Sequence, residues 1–344
     1  MSNTNDNAAI PKTCKILLAT APGQKFPDNE LEGLSEEVVR FELEKVSADG
    51  TFNFLTLKSA IDYAKEHEID LIIAVDPEYD RLSLVVRKGP GGAFMVLNSH
   101  QVAAVLLKLW MDTGLYPQMK VLKSVLLSDI LDNIAKRGSL ELEEQILVAN
   151  DLKSGLEKFR TNSADETIAA FNIDQQVLHS DLKFHDIVRQ LIGLESALLD
   201  EQKNIYNFLL DIYFYNGFFK EKTVSLDLSV EAHQDQVVKF MKEAARKPKF
   251  LEEILSVSAV TDYSKGKKKN ILTDKVYDHP ISGANILKIE TVEGVSITLV
   301  PTEDKLTYYI SVRESVNTPE RFETANKALD QEIFKLVSLL NKMI

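Results

Sequence analysis

The first apolar positions of this chain come as a short unbroken run. Cys14–Thr20, CKILLAT, stops at APGQ, which predicts a buried strand and then a turn. The period changes over Thr56–Ile69. There Leu57, Ile61 and Ala64 fall at helical spacing, with Thr56 in the capping position. DLIIAV then returns to an unbroken run. Two apolar strands joined through a helix predict a parallel sheet covered on both faces. A strand to Arg87, a hairpin through KGPGG, a strand from Ala93 to Leu97 and a helix from about Ser99 to Met111 follow.

The alternation of strand and helix then recurs. KVLKSVLLSDILDNIAKRGS predicts a strand and a helix, with Ser128 as its cap and Gly138 as its stop. DLKSGLEKF and the long run from His185 to Phe219 predict further helices, the dense Tyr and Phe of the latter being core aromatics. From Thr223 the character changes. TVSLDLSV alternates like a strand, EAHQDQVVKFMKEAAR has a helical period, and ANILKIET, VSITLVP and KLTYYISVR predict strands. A last helix from Thr318 sets Phe322, Ala325, Leu329, Ile333, Leu336 and Leu340 on one face. The expected boundaries are a disordered tail at 1–13, α/β units at 14–119 and 120–222, and an α+β unit with a mostly antiparallel sheet at 223–344.

Composition narrows the function classes. The 344 residues carry a net charge of −12, which disfavours nucleic acid and anionic lipid as partners. The basic SKGKKKN segment, Ser264–Asn270, is expected to be a solvated loop. A single cysteine, Cys14, a polar start without a signal-peptide core, and the lack of any apolar run near membrane-spanning length predict a cytoplasmic protein. His67, His100, His179, His185, His233 and His279 show no metal-ligand spacing.

One short turn carries candidate chemistry. In IIAVDPEYDRLSLVV, Asp76, Glu78 and Asp80 stand at alternate positions between two strand-like runs, and Arg81 follows. Three carboxylates in one turn fit either a cation site or an ordinary solvated turn. DPEYDR is similar to the D-P-D-A-D-R metal loop of the phosphohexomutase family, the phosphoglucomutases and phosphomannomutases. LNSHQVAAVLL resembles the family's following L-N-G-N-Q strand and helix. NGFFKEKTVSLDL, VTDYSKGKKKN and ISGANILKI match further family segments in order and spacing, from about residue 15 to the end.

The resemblance implies a protein that moves phosphate between the 1- and 6-hydroxyls of a hexose, using four parts. The phosphoserine segment T-A-S-H-N-P is expected to be absent, since about 14 residues precede the first strand. Ser99, in NSHQ, has no base indicated beside it and is not expected to act as a nucleophile. The resemblance implies a Mg²⁺ held by Asp76, Glu78 and Asp80, with Arg81 as the family's arginine; the alternative is an inherited turn that holds no metal.

The sugar loop G-F-E-E-S is matched by AFNIDQ, where Asn172 and Asp174 replace its glutamates. GLES, Gly193–Ser196, is expected on a helix surface. Lys153 is kept beside Asn150 and Asp151, which stand in place of a Thr-Gly. The phosphate loop R-P-S-G-T-E-P-K is reduced to a hairpin with Val300 at the arginine, then Thr302, Glu303 and Asp304, leaving Lys305 as its cation. Two acids there repel a phosphate. The expected function is a non-catalytic family member with a binding or regulatory role in carbohydrate metabolism, and a hexose phosphate as candidate ligand. The alternative is a Mg²⁺-dependent mutase whose phosphoserine domain comes from another chain.

Overall fold

A computed structural model describes residues 14–34, 36–89, 91–146, 152–153, 156–157, 166–228, 231–252 and 254–342. The expected tail at 1–13, and Asn150 and Asp151, lie outside the described residues. The chain divides into two compact units, one of residues 1–122, 135–142 and 149–211, the other of residues 123–134, 143–148 and 212–344. The fold is mixed α/β with a C-terminal antiparallel sheet.

A five-stranded sheet is built from β1 (Lys15–Thr20), β2 (Glu37–Glu42), β3 (Leu71–Val75), β4 (Leu82–Arg87) and β5 (Phe94–Val96), in the order β2-β1-β3-β4-β5. β1 runs parallel to β2 and β3, as two apolar strands joined through a helix require, while β4 and β5 pair antiparallel. Every position of β3 is buried. Helix α1 (Lys58–Glu66) lays Ala60, Ile61 and Ala64 on this sheet beside Leu17, Ile72 and Val85. Each large apolar side chain buried here contributes about 1.5–3 kcal/mol. Thr56 does not cap α1. Its hydroxyl closes the Asn53–Thr56 turn by donating to the Asn53 carbonyl, and Leu57 takes the cap position without a side-chain bond. Helix α2 (Ser99–Thr113) opens with a reciprocal cap between Asn98 and Gln101 and stops at Gly114, whose φ of 65° suits glycine.

The next elements are β6 (Lys120–Ser124), α3 (Ile130–Arg137), β7 (Leu142–Gln145), β8 (Ile168–Phe171), β9 (Val177–His179), α4 (Phe184–Asp200) and α5 (Ile205–Asn216), with the strands in the order β7-β6-β8-β9. The GLES segment lies on α4 as expected for a helix, but Glu195 is not on its surface. It is buried and accepts from the Ile205 backbone N–H at 2.8 Å, an otherwise unpaired donor at the start of α5.

Helix α5 ends at Asn216, short of the expected run. Gly217, at φ 94°, turns the chain into β10 (Phe218–Asp227), so Phe218 and Phe219 are strand residues. Tyr213 and Phe218 pack at 4.9 Å between centroids, and Phe218 on Phe322 at 4.7 Å, as core aromatics. After α6 (Glu231–Arg246) come β11 (Val257–Asp262), β12 (Lys267–Asn270), β13 (Val276–Asp278), β14 (Leu287–Thr291), β15 (Ser296–Pro301) and β16 (Lys305–Glu314). The seven-stranded sheet runs β10-β16-β15-β14-β11-β12-β13 with antiparallel neighbours throughout.

Within the basic segment, only residues 264–266 are a turn, and Lys267–Asn270 form strand β12. Carboxylates elsewhere in the chain neutralise it: Asp278 pairs with Lys267, Glu290 with Lys268 and Asp274 with Lys269. Helix α7 (Pro319–Leu340) closes the chain with all six expected apolar positions buried.

The second unit contains an internal charge cluster. Lys123 of β6 is fully buried, and Lys288 of β14 is 8% exposed. Asp129, just before α3, faces both, at 3.5 Å from Lys123 and 3.0 Å from Lys288. Glu144 of β7 lies 3.2 Å from Lys123 and 3.5 Å from Lys288, and Asp132 of α3 pairs with Lys123. Burial opposes ionisation of Asp129, yet the two ammonium groups outweigh it and hold its carboxyl well below the usual range.

Candidate functional site

The acidic turn joins β3 to β4 in the first unit. Asp76 is 1% and Asp80 4% exposed, Glu78 is exposed, and Tyr79 adopts φ 52° at the turn's tip. The turn is closed from within. Asp76 Oδ1 accepts from the backbone N–H groups of Asp80 at 3.0 Å and Arg81 at 2.8 Å. This is local side-chain bonding to the backbone, for which Asp is suited.

A second segment, distant in sequence, meets the turn. The chain leaves β8 at Asn172 and re-enters as β9 at Val177. Within this loop Gln175 has φ 70°. Its side chain accepts from the Phe52 N–H at 2.7 Å and donates to the Phe52 carbonyl at 2.9 Å, both buried. Gln176 bridges Arg81 through the backbone, and Val177 N–H donates to the Asp80 carbonyl at 2.8 Å. Ser99, at the start of α2, donates from Oγ to the Ile173 carbonyl at 2.6 Å. The AFNIDQ segment thus stands against DPEYDR.

The Arg81 guanidinium lies between the two segments. Nη1 is 3.4 Å from Asp76 Oδ2 and 3.5 Å from Asp80 Oδ1, and Nη2 donates to Asp174 Oδ2 at 3.2 Å. Burial pulls its pKa down, and the carboxylates of Asp174, Asp80 and Asp76 more than offset that, so it stays charged. Asp80 Oδ2 is taken by Lys153 at 2.9 Å and Gln176 Nε2 at 3.3 Å. Asp76 is held above the usual carboxylate range by burial, with Glu78 close enough to share a hydrogen bond and add to the effect.

Asp76, Asp80, Arg81, Lys153, Asn172 and Asp174 therefore come together. Glu78 reaches Asp76 from the exposed side. Asn172 turns inward on its own loop, its Oδ1 accepting from the Ile173 N–H at 2.8 Å. Lys305 belongs to the second unit. There Thr302, Asp304 and Lys305 form a short hairpin closed by the Thr302 hydroxyl, which donates to Asp304 at 2.7 Å and accepts from the Lys305 N–H at 3.2 Å. Gln175, Gln176 and Phe52 were not legible as site residues; no local pattern marks a glutamine that pairs with a backbone 123 residues away.

Mg²⁺ needs near-octahedral oxygen ligands at about 2.0–2.1 Å. The residues as arranged do not fit it. One oxygen of Asp76 accepts two backbone donors, the other faces the guanidinium with Asp80 Oδ1 and Asp174 Oδ2, and Asp80 Oδ2 is taken by Lys153 and Gln176. Among the described residues no group of three or more His, Cys, Asp or Glu side chains is arranged to hold a metal ion. A cavity of about 650 Å³ lies by the far end of β4, lined by Lys65, Asp70, Arg87, Glu195, Lys203 and Asn204. Its polar groups are engaged structurally: Arg87 donates to the Ile69 and Ala64 carbonyls, and Asn204 to the Arg87 carbonyl. No described helix is long and apolar enough to cross a membrane.

No family model matches the chain. It is 25% identical to a phosphoglucomutase of Staphylococcus haemolyticus over 284 residues, covering 80% of this chain and 50% of that protein. It is 22% identical to a phosphoglucomutase of Staphylococcus saprophyticus over 318 residues, covering 87% of this chain and 57% of that one. The chain thus spans about half the length of the curated relatives it matches. Two solved structures share the fold. One is the parafusin phosphoglucomutase of Paramecium in its open form, with a TM-score of 0.57 at 10% identity over 85% of this chain and 50% of that one. The other is described as a putative phosphomannomutase of Thermus thermophilus, with a TM-score of 0.55 at 14% identity over 94% and 61%. Sequence likeness to the one set and a shared fold with the other converge: the chain is phosphohexomutase-like and corresponds to part of the full-length enzymes.

Proposed function

We propose that this chain is a phosphohexomutase-like binding or regulatory protein of carbohydrate metabolism that does not itself transfer phosphate. The observation that carries this reading is the cage around Arg81. The charges a sugar-phosphate site would offer to its ligand are spent here on one another, with Asp76, Asp80 and Asp174 on the guanidinium and Lys153 on Asp80. The second unit supports it, because the Thr302–Lys305 hairpin, which the sequence resemblance aligns with a phosphate loop, carries Glu303 and Asp304, whose charge would repel a phosphate. A hexose phosphate remains the ligand class to try. The ion-paired lysines of β12 argue against nucleic acid, and the single, buried Cys14 suits the cytoplasm.

The test is turnover. Purified chain is incubated with glucose 1-phosphate or mannose 1-phosphate and Mg²⁺, and formation of the 6-phosphate is followed by a coupled assay. No rate above the blank is expected, while calorimetry with the same sugar phosphates reads binding. A rate that disappears in Asp80→Asn would overturn the reading.

A second reading keeps phosphoryl transfer, with Mg²⁺ at Asp76, Glu78 and Asp80 and a phosphoserine domain on another chain. The closeness of Glu78 to Asp76 favours it, since a cation would relieve two adjacent carboxyls. Activity that appears only when a phosphoserine-domain protein is added would select this reading.

A further inference from the structure

Three carboxylates turned inward need a counter-charge, and this chain provides one from its own sequence. We propose that the Arg81 guanidinium is the resident cation of the acidic turn, standing where a divalent ion would otherwise be needed. The wild-type chain then holds no divalent-cation site here, and removal of the guanidinium creates one. The assignment concerns metal binding alone: it does not require the non-catalytic reading, and it excludes the second reading's Mg²⁺ at Asp76, Glu78 and Asp80.

Three observations carry it. First, the guanidinium reaches carboxylates on two separate segments, Asp76 and Asp80 on the turn and Asp174 on the β8–β9 loop, 93 residues from Arg81. Its planar fork suits several carboxylates at once. Second, the arginine is fixed and not free to swing. Its backbone N–H donates to Asp76, its neighbour Leu82 donates to the Gln175 carbonyl at 3.1 Å, and a Cβ at Gly50 would stand 3.6 Å from Nη1, so backbone packs against the guanidinium. Third, it is the guanidinium that reaches Asp76, Asp80 and Asp174 together, whereas Lys153 reaches Asp80 Oδ2, at 2.9 Å. With Arg81 removed, Asp76, Asp80 and Asp174 present hard oxygen donors from buried, preformed backbone, the ligand type that Mg²⁺ and Mn²⁺ take.

The experiment titrates Mn²⁺ into the full chain and reads free aquo-Mn²⁺ by electron paramagnetic resonance, with Mg²⁺ as competitor. Wild type is expected to show no saturable site tighter than about 1 mM. Arg81→Gln is expected to bind one Mn²⁺, and Asp174→Asn in that background to weaken it by about 10–100-fold. Arg81→Lys, which restores a cation, is expected to gain no site. If wild type binds one Mn²⁺ as tightly as Arg81→Gln, or if Arg81→Gln folds and binds none, the proposal fails. Should Arg81→Gln fold only with Mn²⁺ present, the proposal is supported. Should it not fold at all, wild type decides: one Mn²⁺ bound, and lost in Asp80→Asn, overturns the proposal, whereas no binding supports it.

Discussion

Replacing Lys123 by Met tests what holds the second unit together. The side chains have similar volume, so the change removes a charge and leaves the packing nearly constant. In the wild type, Lys123 faces Asp132, Glu144 at 3.2 Å and Asp129 at 3.5 Å, and is itself fully buried. Removing one partner of a buried ion pair costs about 3–5 kcal/mol, chiefly through the charge left behind. Here the stranded carboxylates are 21% to 39% exposed and can hydrate, and Lys288 still serves Asp129 and Glu144. The cost therefore falls lower, at about 2–3 kcal/mol. Urea unfolding followed by far-ultraviolet circular dichroism measures it. Trp110, the chain's one tryptophan, lies in the first unit, so its fluorescence gives a separate reading. The pH dependence carries a sign. Asp129 has a depressed folded pKa, so its contribution is present above the model-peptide value of 3.8 and is lost as pH falls through the folded value. The difference between wild type and Lys123→Met should shrink below that pH. A variant within about 0.5 kcal/mol of wild type at neutral pH refutes the reasoning.

Two further outcomes concern the first unit. His179 lies between Trp110 and Tyr116, at 4.7 and 4.6 Å between centroids, and burial depresses its pKa to about 4 from 6.5. Folding therefore holds it neutral. Its contribution is full above pH 6.5 and declines as pH falls through 4, by about 3 kcal/mol in all. Urea midpoints read by Trp110 fluorescence across that range should show this slope in wild type and lose it in His179→Phe; equal slopes would disprove the assignment. Gln175→Ala leaves the Phe52 N–H and carbonyl without their buried partners, which should lower stability by about 2–3 kcal/mol. An unchanged melting temperature would show that the clamp contributes nothing.

What the sequence made legible was local and periodic. The six apolar positions of α7 are buried as their spacing requires, and LIIAV is buried at every position of β3 because nothing in it asks for water. What stayed hidden depended on partners far along the chain. β12 is written in lysines, and its pairing with β11 and β13, with Asp274, Asp278 and Glu290 beside the three ammonium groups, carries no local signal. β2, EVVRFE, is a half-exposed edge whose pairing with β1 carries no strong signal of its own. Glu195 looked like a surface acid because the donor it serves belongs to the next helix. The acidic turn is legible as three carboxylates at alternate positions between two strand-like runs. That its arginine would close it is not, since Asp174 shares no motif with the turn.

That closure has a consequence in time. Arg81 and Asp174 are 93 residues apart. At a synthesis rate of about 5–20 residues per second, a growing chain presents Asp76, Asp80 and Arg81 for roughly 5–20 s before Asp174 exists to complete the cage. During that interval β4 and β5 follow the turn, and Arg81 has Asp76 and Asp80 but not yet Asp174 as partners. The site is thus completed only about halfway through the 344 residues, by a segment that arrives after the five strands of the sheet it meets.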